Sequence, residues 1–179
     1  MPIDLTEIRA AAATYVSDNV SCVIDNFTPD VPAALSPGEE FSFDLHVTNN
    51  GPLTLTNVRY QVWAEHRDIF RLIAPTRIIP TGSGAQSPAW RGIHEDTRRP
   101  LAPGEETQFM VIWPETSLYR GEHERAQLEP NETDRWRLRG RALALGNSQI
   151  SARVWADIDL EALARSNDSR WTRFDINVV

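Results

Sequence analysis

Residues 35–51 read LSPGEEFSFDLHVTNNG, and the second half of this stretch decides the fold. Apolar side chains occupy every second position there: Phe41, Phe43, Leu45 and Val47 alternate with polar residues. Successive side chains of a β-strand point to opposite faces of a sheet, so this alternation predicts a strand with one buried face. Aromatic and β-branched residues, which favour strands, supply most of the buried row.

The residues around this strand are typical of tight turns. Asn49-Asn50-Gly51-Pro52 follows it, and asparagine and glycine tolerate the positive φ that hairpin turns require. The alternation returns at 58–64 and 107–113, and further strands are expected near 135–145, 149–158 and 172–178. About seven or eight short strands between Pro/Gly turns predict an all-β fold, an immunoglobulin-like antiparallel two-sheet β-sandwich.

The turn before the deciding strand occurs twice. Residues 35–40 read LSPGEE and residues 101–106 read LAPGEE, and an alternating segment follows each copy. Proline fixes φ for the turn, and glycine adopts backbone conformations that other residues resist. The chain after the second copy is too short and too different to form a second sandwich. We therefore expect one sandwich that uses the same turn twice.

The N-terminal segment has helical periodicity instead. Asp4 and Glu7 form a capping-box pattern ahead of an alanine-rich run whose apolar residues fall on one helical face. We expect a short α-helix within 1–19 and a single sandwich over 20–179. Hydrophilic stretches predict loop insertions in that sandwich at about 80–100 and 115–134.

Composition limits the classes of protein to which the chain can belong. It has 179 residues, a net charge of −7 and 18 basic residues, all of them arginine. The negative charge argues against nucleic-acid binding, and no apolar run is long enough for membrane insertion. The N-terminus lacks a secretory signal pattern, which favours a cytoplasmic or assembly-associated protein. Cys22 is the single cysteine, and a buried packing role is expected for it.

The order of the motifs resembles a known family. PGEEFSFDLHVTNNG, NVRYQVW, LAPGEETQFMVIW and ARVWADIDLEALARSNDSRW follow one another over about 35–179 as in bacterial CARDB-type immunoglobulin-like domains. The resemblance implies an adhesion-like or interaction module. The chain departs from the pattern in its N-terminal helix, and in having Ala164 and Arg165 near where such domains usually place a glutamate. The helix favours an assembly subunit over a cell-surface repeat.

One acidic segment has the spacing of a calcium-binding loop. Asp157, Asp159, Glu161 and Asp168 occupy loop positions one, three, five and twelve. An EF-hand loop has glycine at its sixth position and a bidentate glutamate at its twelfth, where this chain has Ala162 and Asp168. The four acidic residues are therefore weak candidates for metal ligands, and a solvated acidic strand end is the alternative interpretation.

Two groups of side chains are candidates for an interface. Arginines alternate with apolar or small residues near the C-terminal third, so a strand would place four guanidinium groups on one face: Arg135, Arg137, Arg139 and Arg141. Carboxylates of neighbouring strands would neutralise them, or an acidic partner would dock on them through bidentate pairs. Trp63 and Trp155 lie opposite the aliphatic side chains of their strands, and Trp90 lies in the long loop. Trp63 and Trp155 are interface anchors if neither another sheet nor the N-terminal helix covers their face. Trp90 is either tucked down as a latch or offered to a partner.

No catalytic or cofactor motif occurs in the sequence. The four histidines have no paired ligand spacing, and neither a P-loop nor a dinucleotide fingerprint is present. We therefore expect no cofactor and no enzyme. The favoured function is a protein–protein interaction or structural module, a subunit of a larger bacterial or phage assembly, with a protein partner or a second copy of itself. The alternatives are a Ca²⁺- or carbohydrate-binding sandwich and an enzyme that uses loop-borne His66, His94 and His123.

Overall fold

The elements begin with one helix and continue with strands. The computed structural model describes residues 5–29, 34–73, 78–80, 106–113, 118–160 and 164–179. Within them the helix α1 spans Leu5–Asn19. The strands are β1 Val20–Thr28, β2 Glu40–Asn49, β3 Leu55–Ala64, β4 Phe70–Ile73, β5 Ile78–Pro80, β6 Glu106–Trp113, β7 Leu118–Leu128, β8 Thr133–Ala142, β9 Gly146–Leu160 and β10 Ala164–Val178.

The strands form two sheets, in the orders β1-β2-β8-β4 and β10-β9-β3-β7-β6-β5. Every pairing is antiparallel except that of β5 with β6, which is parallel. The two sheets enclose one cluster of buried apolar side chains that draws on both of them. The predicted immunoglobulin-like two-sheet sandwich with a short N-terminal helix is confirmed.

The core follows the alternation in the deciding stretch. Phe41, Phe43, Leu45 and Val47 are all at most 2% exposed. From the opposite sheet, Phe174 on β10 reaches Phe27 with ring centroids 4.3 Å apart, and Phe27 in turn stacks on Phe43 at 5.7 Å. Burying each such side chain stabilises the fold by about 2 kcal/mol, so this row fixes the face that β2 turns inward.

The chain turns on both sides of the deciding strand β2, but the two turns depend on glycine for different reasons. Gly38 in the first Pro-Gly turn has a φ of 91°, as expected for a residue without a Cβ. Of the described residues with positive φ, none lies at 49–51. A Cβ at Gly51 would instead meet the Tyr15 hydroxyl at 2.0 Å. That glycine is required for the close approach of α1, which corrects the φ argument. The second Pro-Gly copy lies at 101–105, outside the described residues.

The C-terminal part of α1 packs on the chain's own sandwich. Val16 is fully buried in the common core. The backbone N–H of Leu53 donates to the Tyr15 hydroxyl at 2.9 Å, and the Arg170 guanidinium donates to the Ser17 carbonyl at 3.3 Å. Cys22, just beyond the helix, is also buried, and burial raises the pKa of its thiol to about 12 despite the opposing charge of Arg170. The buried packing role predicted for this cysteine is confirmed.

The hydrophilic stretch at 115–134 is not a loop excursion over most of its length. It contains β7, which lies between β3 and β6 in the six-stranded sheet. The alternation signal fails because the polar residues His123 and Glu124 are both buried, on opposite faces of the strand. The loop predicted at about 80–100 lies, apart from Pro80 in β5, outside the described residues, as does Trp90.

Candidate interaction surfaces

The four arginines lie in one row on the outer face of the four-stranded sheet. They alternate along β8 with the buried residues Trp136, Leu138, Gly140 and Ala142. The exposed fractions of their side chains are 58% for Arg135, 39% for Arg137, 61% for Arg139 and 52% for Arg141. The predicted placement of four guanidinium groups on one face is therefore what the structure has.

Two carboxylates on the neighbouring strand β2 each hold two of these arginines. Asp44, whose side chain is fully buried, accepts from Arg135 at 2.6 Å and from Arg137 at 3.1 Å. Glu40 accepts from Arg139 at 2.5 Å with one oxygen and from Arg141 with the other. The pairing follows from register, because Asp44 lies opposite Arg137 and Glu40 opposite Arg141.

The pKa values of both carboxyl groups reflect this pairing. Burial alone would raise the pKa of Asp44, but hydrogen bonds from Arg135, Arg137 and Asn26 lower it below the usual range. Hydrogen bonds from Arg141 and Arg139 likewise lower the pKa of Glu40. Both groups are therefore ionised at neutral pH and keep the guanidinium groups in place.

Arg137 is the most firmly held member of the row. Besides Asp44 it donates to the Ser42 hydroxyl at 2.7 Å, the Thr28 hydroxyl at 3.0 Å and the Asn26 carbonyl at 3.2 Å. Arg139 and Arg141 each have a single carboxylate partner, which they share. An arginine offers five N–H donors, so most donors of that pair face solvent.

The outer face as a whole carries a surplus of positive charge. We define the arginine face by its outward-facing charged residues on β1, β2, β8 and β4: Asp25, Glu40, Asp44, Arg71, Arg135, Arg137, Arg139 and Arg141. Among these described residues there are five arginines and three carboxylates, on a chain whose net charge is −7. The face is a cationic patch on an acidic protein.

One corner of the arginine face brings possible metal ligands together. Ligand atoms of Asp25, Asp44 and His46 lie within 4.8 Å of one another. The Nε2 atom of His46 is 3.3 Å from an Asp25 oxygen and 3.7 Å from an Asp44 oxygen. Both oxygens of Asp44 already accept from arginines, whose charge opposes a cation at the same point. We interpret the group as an ion-pair cluster that belongs to the arginine face.

The calcium-loop candidates lie mostly on paired strands. In the β9–β10 hairpin, Asp157 is in register with Asn167, Asp159 with Arg165, and Asp168 with Ala156. The Asp157 carboxylate accepts from the Asn57 amide at 2.7 Å. Glu161 lies outside the described residues. The backbone here is an extended ladder over most of the twelve positions, which differs from the continuous loop that wraps a calcium ion.

Trp63, Trp155 and Trp171 lie on the outer face of the six-stranded sheet, where two arginines stack on their rings. Arg153 has its guanidinium carbon 4.6 Å from the Trp155 ring centroid and 4.8 Å from that of Trp171. Arg59 lies 5.4 Å from the Trp155 ring centroid, and Trp63 meets Trp171 edge-on at 5.5 Å. We call these five residues the tryptophan–arginine ladder. Cation–π contacts of this kind stabilise by about 0.5–2 kcal/mol each.

The tryptophans of the ladder differ in how much of each side chain is exposed, and this indicates different roles. Trp155 is 7% exposed, so it offers a partner little surface and serves packing. Trp63 is half-buried, whereas Trp171 is 48% exposed. The sequence interpretation missed Trp171 because it began the last strand at residue 172. The same signal that singled out Trp63, a position opposite the strand's aliphatic row, would have found it one residue earlier.

A polar cluster lies between the two sheets. The His123 ring, 1% exposed, stacks between Tyr60 at 5.1 Å and Trp136 at 5.4 Å, and its Nε2 atom is 3.2 Å from an Asp134 oxygen. Burial would raise the pKa of Asp134, but His123 and Arg125 lower it below its usual value. Since His123 is enclosed and His66 is exposed in a turn, these two candidate histidines do not share a cleft; His94 lies outside the described residues.

An open groove of about 660 Å³ lies at the end of the sandwich near His66. Its other lining residues come from β9 and β10: Asn147, Ser148, Gln149, Asp175, Ile176 and Asn177. Amides and a carboxylate suit hydrogen bonding to hydroxyl groups, but this lining includes no tryptophan on which a sugar ring could stack.

Comparisons with known proteins find similar solved structures but no similar sequence family. No family model matches the sequence, and no curated protein matches it either. Among solved structures, a mutant α2-macroglobulin of Salmonella has 16% identity and a TM-score of 0.47 over 89% of this chain. The chain spans only 7% of the length of that protein.

Two single-module structures are similar over nearly their whole length. One is the CARDB domain of a Pyrococcus furiosus protein in complex with di-metal ions, with 12% identity, a TM-score of 0.43 and 90% of each chain covered. The other is a cohesin module from a Clostridium perfringens family 33 glycoside hydrolase, with 9% identity, a TM-score of 0.47, and coverage of 89% and 95%. A CARDB domain, the type of domain that the sequence resembles, is thus among the solved structures to which this chain is similar. In the described part of the chain, no helix is long and apolar enough to span a membrane.

Proposed function

We propose that the chain is a non-enzymatic protein-interaction module, a subunit of a larger bacterial or phage assembly, and that the arginine face is its docking surface. The observation that carries the proposal is a row of four guanidinium groups, 39–61% exposed, held in fixed positions by two carboxylates. Arginine is enriched among the residues that dominate binding energy at protein interfaces.

The fixed positions of the arginines favour binding because their side chains are already ordered before a partner arrives. Immobilising a flexible side chain costs about 0.5–1.5 kcal/mol on association. Each arginine of the row is already tied to Asp44 or Glu40. A partner that docks on them therefore gains contacts without ordering four free side chains.

The charge of the face supports an acidic protein as partner. The surplus positive charge lies on one sheet of a chain whose net charge is −7. Complementary potentials speed association and reject wrong partners more than they raise affinity. The rest of the chain repels acidic molecules, so an acidic partner is steered towards this one orientation.

The proposal is tested by affinity isolation with the immobilised full chain from a lysate of the source organism. The variant R139E/R141E reverses the two charges of the row that share Glu40, and R173E is the matched control because Arg173 is exposed on the other sheet. We expect a co-isolated protein that R139E/R141E loses and R173E keeps. The solution mass of the same variants, measured by light scattering, tests whether the partner is a second copy of this chain. Identical partners and mass for all three chains would contradict the proposal.

A carbohydrate ligand is the second candidate, and the groove beside His66 favours it. The groove offers four polar side chains of the amide or carboxylate type, Asn147, Gln149, Asp175 and Asn177. A shift in the melting temperature on adding millimolar oligosaccharides, abolished in N147A/N177A, would support this function. The same titration with CaCl₂ tests the calcium alternative.

A further inference from the structure

We infer that the partner of the arginine face is an extended acidic segment of another protein, with carboxylates at every second residue. This inference rests on the proposed function and adds the chemistry and conformation of the partner. It follows from the spacing of the row and from the side on which the face keeps its own carboxylates.

The spacing of the row matches an extended chain. Successive arginines lie two residues apart on one face of β8, so they repeat about every 6.8 Å along the strand and span about 20 Å in all. A second extended chain has the same repeat and can place one carboxylate against each gap in the row. A helix places neighbouring side chains of one face about 5–6 Å apart, which is a shorter repeat than that of the row.

The structure already contains the contact that the partner would make. Glu40 presents one carboxylate oxygen to Arg139 and the other to Arg141, which bridges two successive members of the row. Glu40 and Asp44 belong to one strand and lie four residues apart on its outward face. Strand β2 is thus an intramolecular example of an extended segment whose carboxylates bridge arginine pairs.

The carboxylates of the face all lie to one side of the row. Asp25, Glu40 and Asp44 belong to β1 and β2. On the other side, the short strand β4 places Arg71 opposite Arg141 and Ile73 opposite Arg139 at its outward positions. Among the described residues, the outward positions of β4 beside the row therefore hold no carboxylate. We place the acidic segment along this side, parallel or antiparallel to β8.

The chemistry favours carboxylates over a polyphosphate or an anionic membrane. Three carboxylates within the face, and a chain charge of −7, repel a dense polyanion as it approaches. A peptide segment carries only a few charges and avoids most of that repulsion. A planar guanidinium fork pairs with either a carboxylate or a phosphate group through two parallel hydrogen bonds, so the distinction rests on the number of charges that the ligand carries.

The experiment uses fluorescein-labelled peptides and the full chain. An alternating Thr-Glu peptide of about ten residues is compared by fluorescence anisotropy with a peptide of the same composition whose glutamates are grouped in one block. We expect the alternating peptide to bind at least about fivefold more tightly, and R139Q/R141Q to weaken its binding about tenfold. R173Q, on the other sheet, is expected to leave binding unchanged.

Two further measurements make the result decisive. R139K/R141K keeps both charges but removes the guanidinium forks, and we expect it to lose much of the preference for the alternating peptide. Near-UV circular dichroism establishes that each variant is folded. Equal binding of the alternating and block peptides would overturn the inference. Tighter binding of a single-stranded oligonucleotide or of phosphatidylserine vesicles would overturn it as well.

The outcomes separate this inference from the proposed function. Loss of a co-isolated protein in R139E/R141E, together with peptides that bind equally, means that the face docks a protein but not an extended acidic segment. Alternating peptides that bind selectively, together with unchanged protein partners in R139E/R141E, mean that the peptide chemistry is right and the proposed docking role is wrong.

Discussion

The two outer faces of the sandwich use arginine in opposite ways. On the four-stranded sheet, arginines pair with carboxylates and keep 39–61% of their side chains exposed. On the six-stranded sheet, Arg153 is stacked between two indole rings, one of which is 7% exposed. A carboxylate leaves the guanidinium hydrated, whereas an aromatic ring covers its weakly hydrated planar face. The neighbour therefore decides whether an arginine is offered to a partner or used for packing.

This difference predicts that stability and binding belong to different faces. Exposed ion pairs contribute about 0–1 kcal/mol and are screened by salt. Stacked aromatic groups exclude water from apolar area and contribute more. Changes in the tryptophan–arginine ladder should mainly affect unfolding. Changes in the exposed arginines of the arginine face should mainly affect association, whereas its buried carboxylate Asp44 also contributes to stability.

The largest effect on stability is expected from Trp155→Ala. The substitution removes a large side chain that is almost fully enclosed by the ladder and its strand neighbours, and should lower the free energy of unfolding by about 3 kcal/mol. Urea denaturation followed by circular dichroism measures it. Trp171→Ala is the matched control, because that ring is 48% exposed and its loss should cost about 1 kcal/mol or less. If the two substitutions lower the free energy of unfolding equally, burial does not determine how much each tryptophan of the ladder contributes to stability.

A smaller loss of stability is expected from Asp44→Asn. The change removes the charge that Arg135 and Arg137 share in a fully buried position, and should cost about 2 kcal/mol. Glu40→Gln makes the same change at the half-exposed carboxylate of the row, where water replaces the lost contact, and should leave the urea midpoint nearly unchanged. If both variants lose the same stability, burial does not distinguish the two carboxylates.

Low pH should lower the folding stability of the wild-type chain by protonating the Asp44 carboxylate. The folded-state pKa of Asp44 is lowered, so its contribution is complete above the unfolded value of about 3.9 and is lost as pH falls towards the folded one. Asp134 acts in the same direction. The urea concentration at the unfolding midpoint, measured between about pH 7 and pH 2.5, should therefore decrease once the pH is lower than about 4. The fall should be shallower in Asp44→Asn, and an equal slope in both chains would remove Asp44 as its source.

The smallest expected effect is a difference in salt response. At 1 M NaCl the screening length is about 3 Å, so the small destabilisation by Glu40→Gln should shrink further. The cost of Trp171→Ala should stay the same, because stacking depends little on ionic strength. Paired urea titrations at about 0.05 M and 1 M salt measure both changes. A salt-sensitive Trp171→Ala cost would show that charge, and not stacking, dominates the ladder.

The sequence predicted the fold wherever alternation was regular. Phe41 to Val47 on β2 and Arg135 to Arg141 on β8 lie on the predicted faces, since a strand has only two faces and each pattern assigns its residues to them. β7 escaped prediction because its residues are polar on both faces, and its burial comes from neighbours distant in the chain. Trp171 escaped only through a strand boundary placed one residue late.

The sequence by itself determined the two-sheet class, the buried alternating rows and the arginine row, because local periodicity alone specifies which face a residue occupies. Only the tertiary structure decided which neighbours each arginine meets. Register places Asp44 and Glu40 beside the row on β8, and the pairing of β9 with β10 places Trp171 opposite Arg153. These partners are separated by up to about a hundred residues or lie on different strands, so no local pattern records them, and they fix both exposure and charge at the two faces.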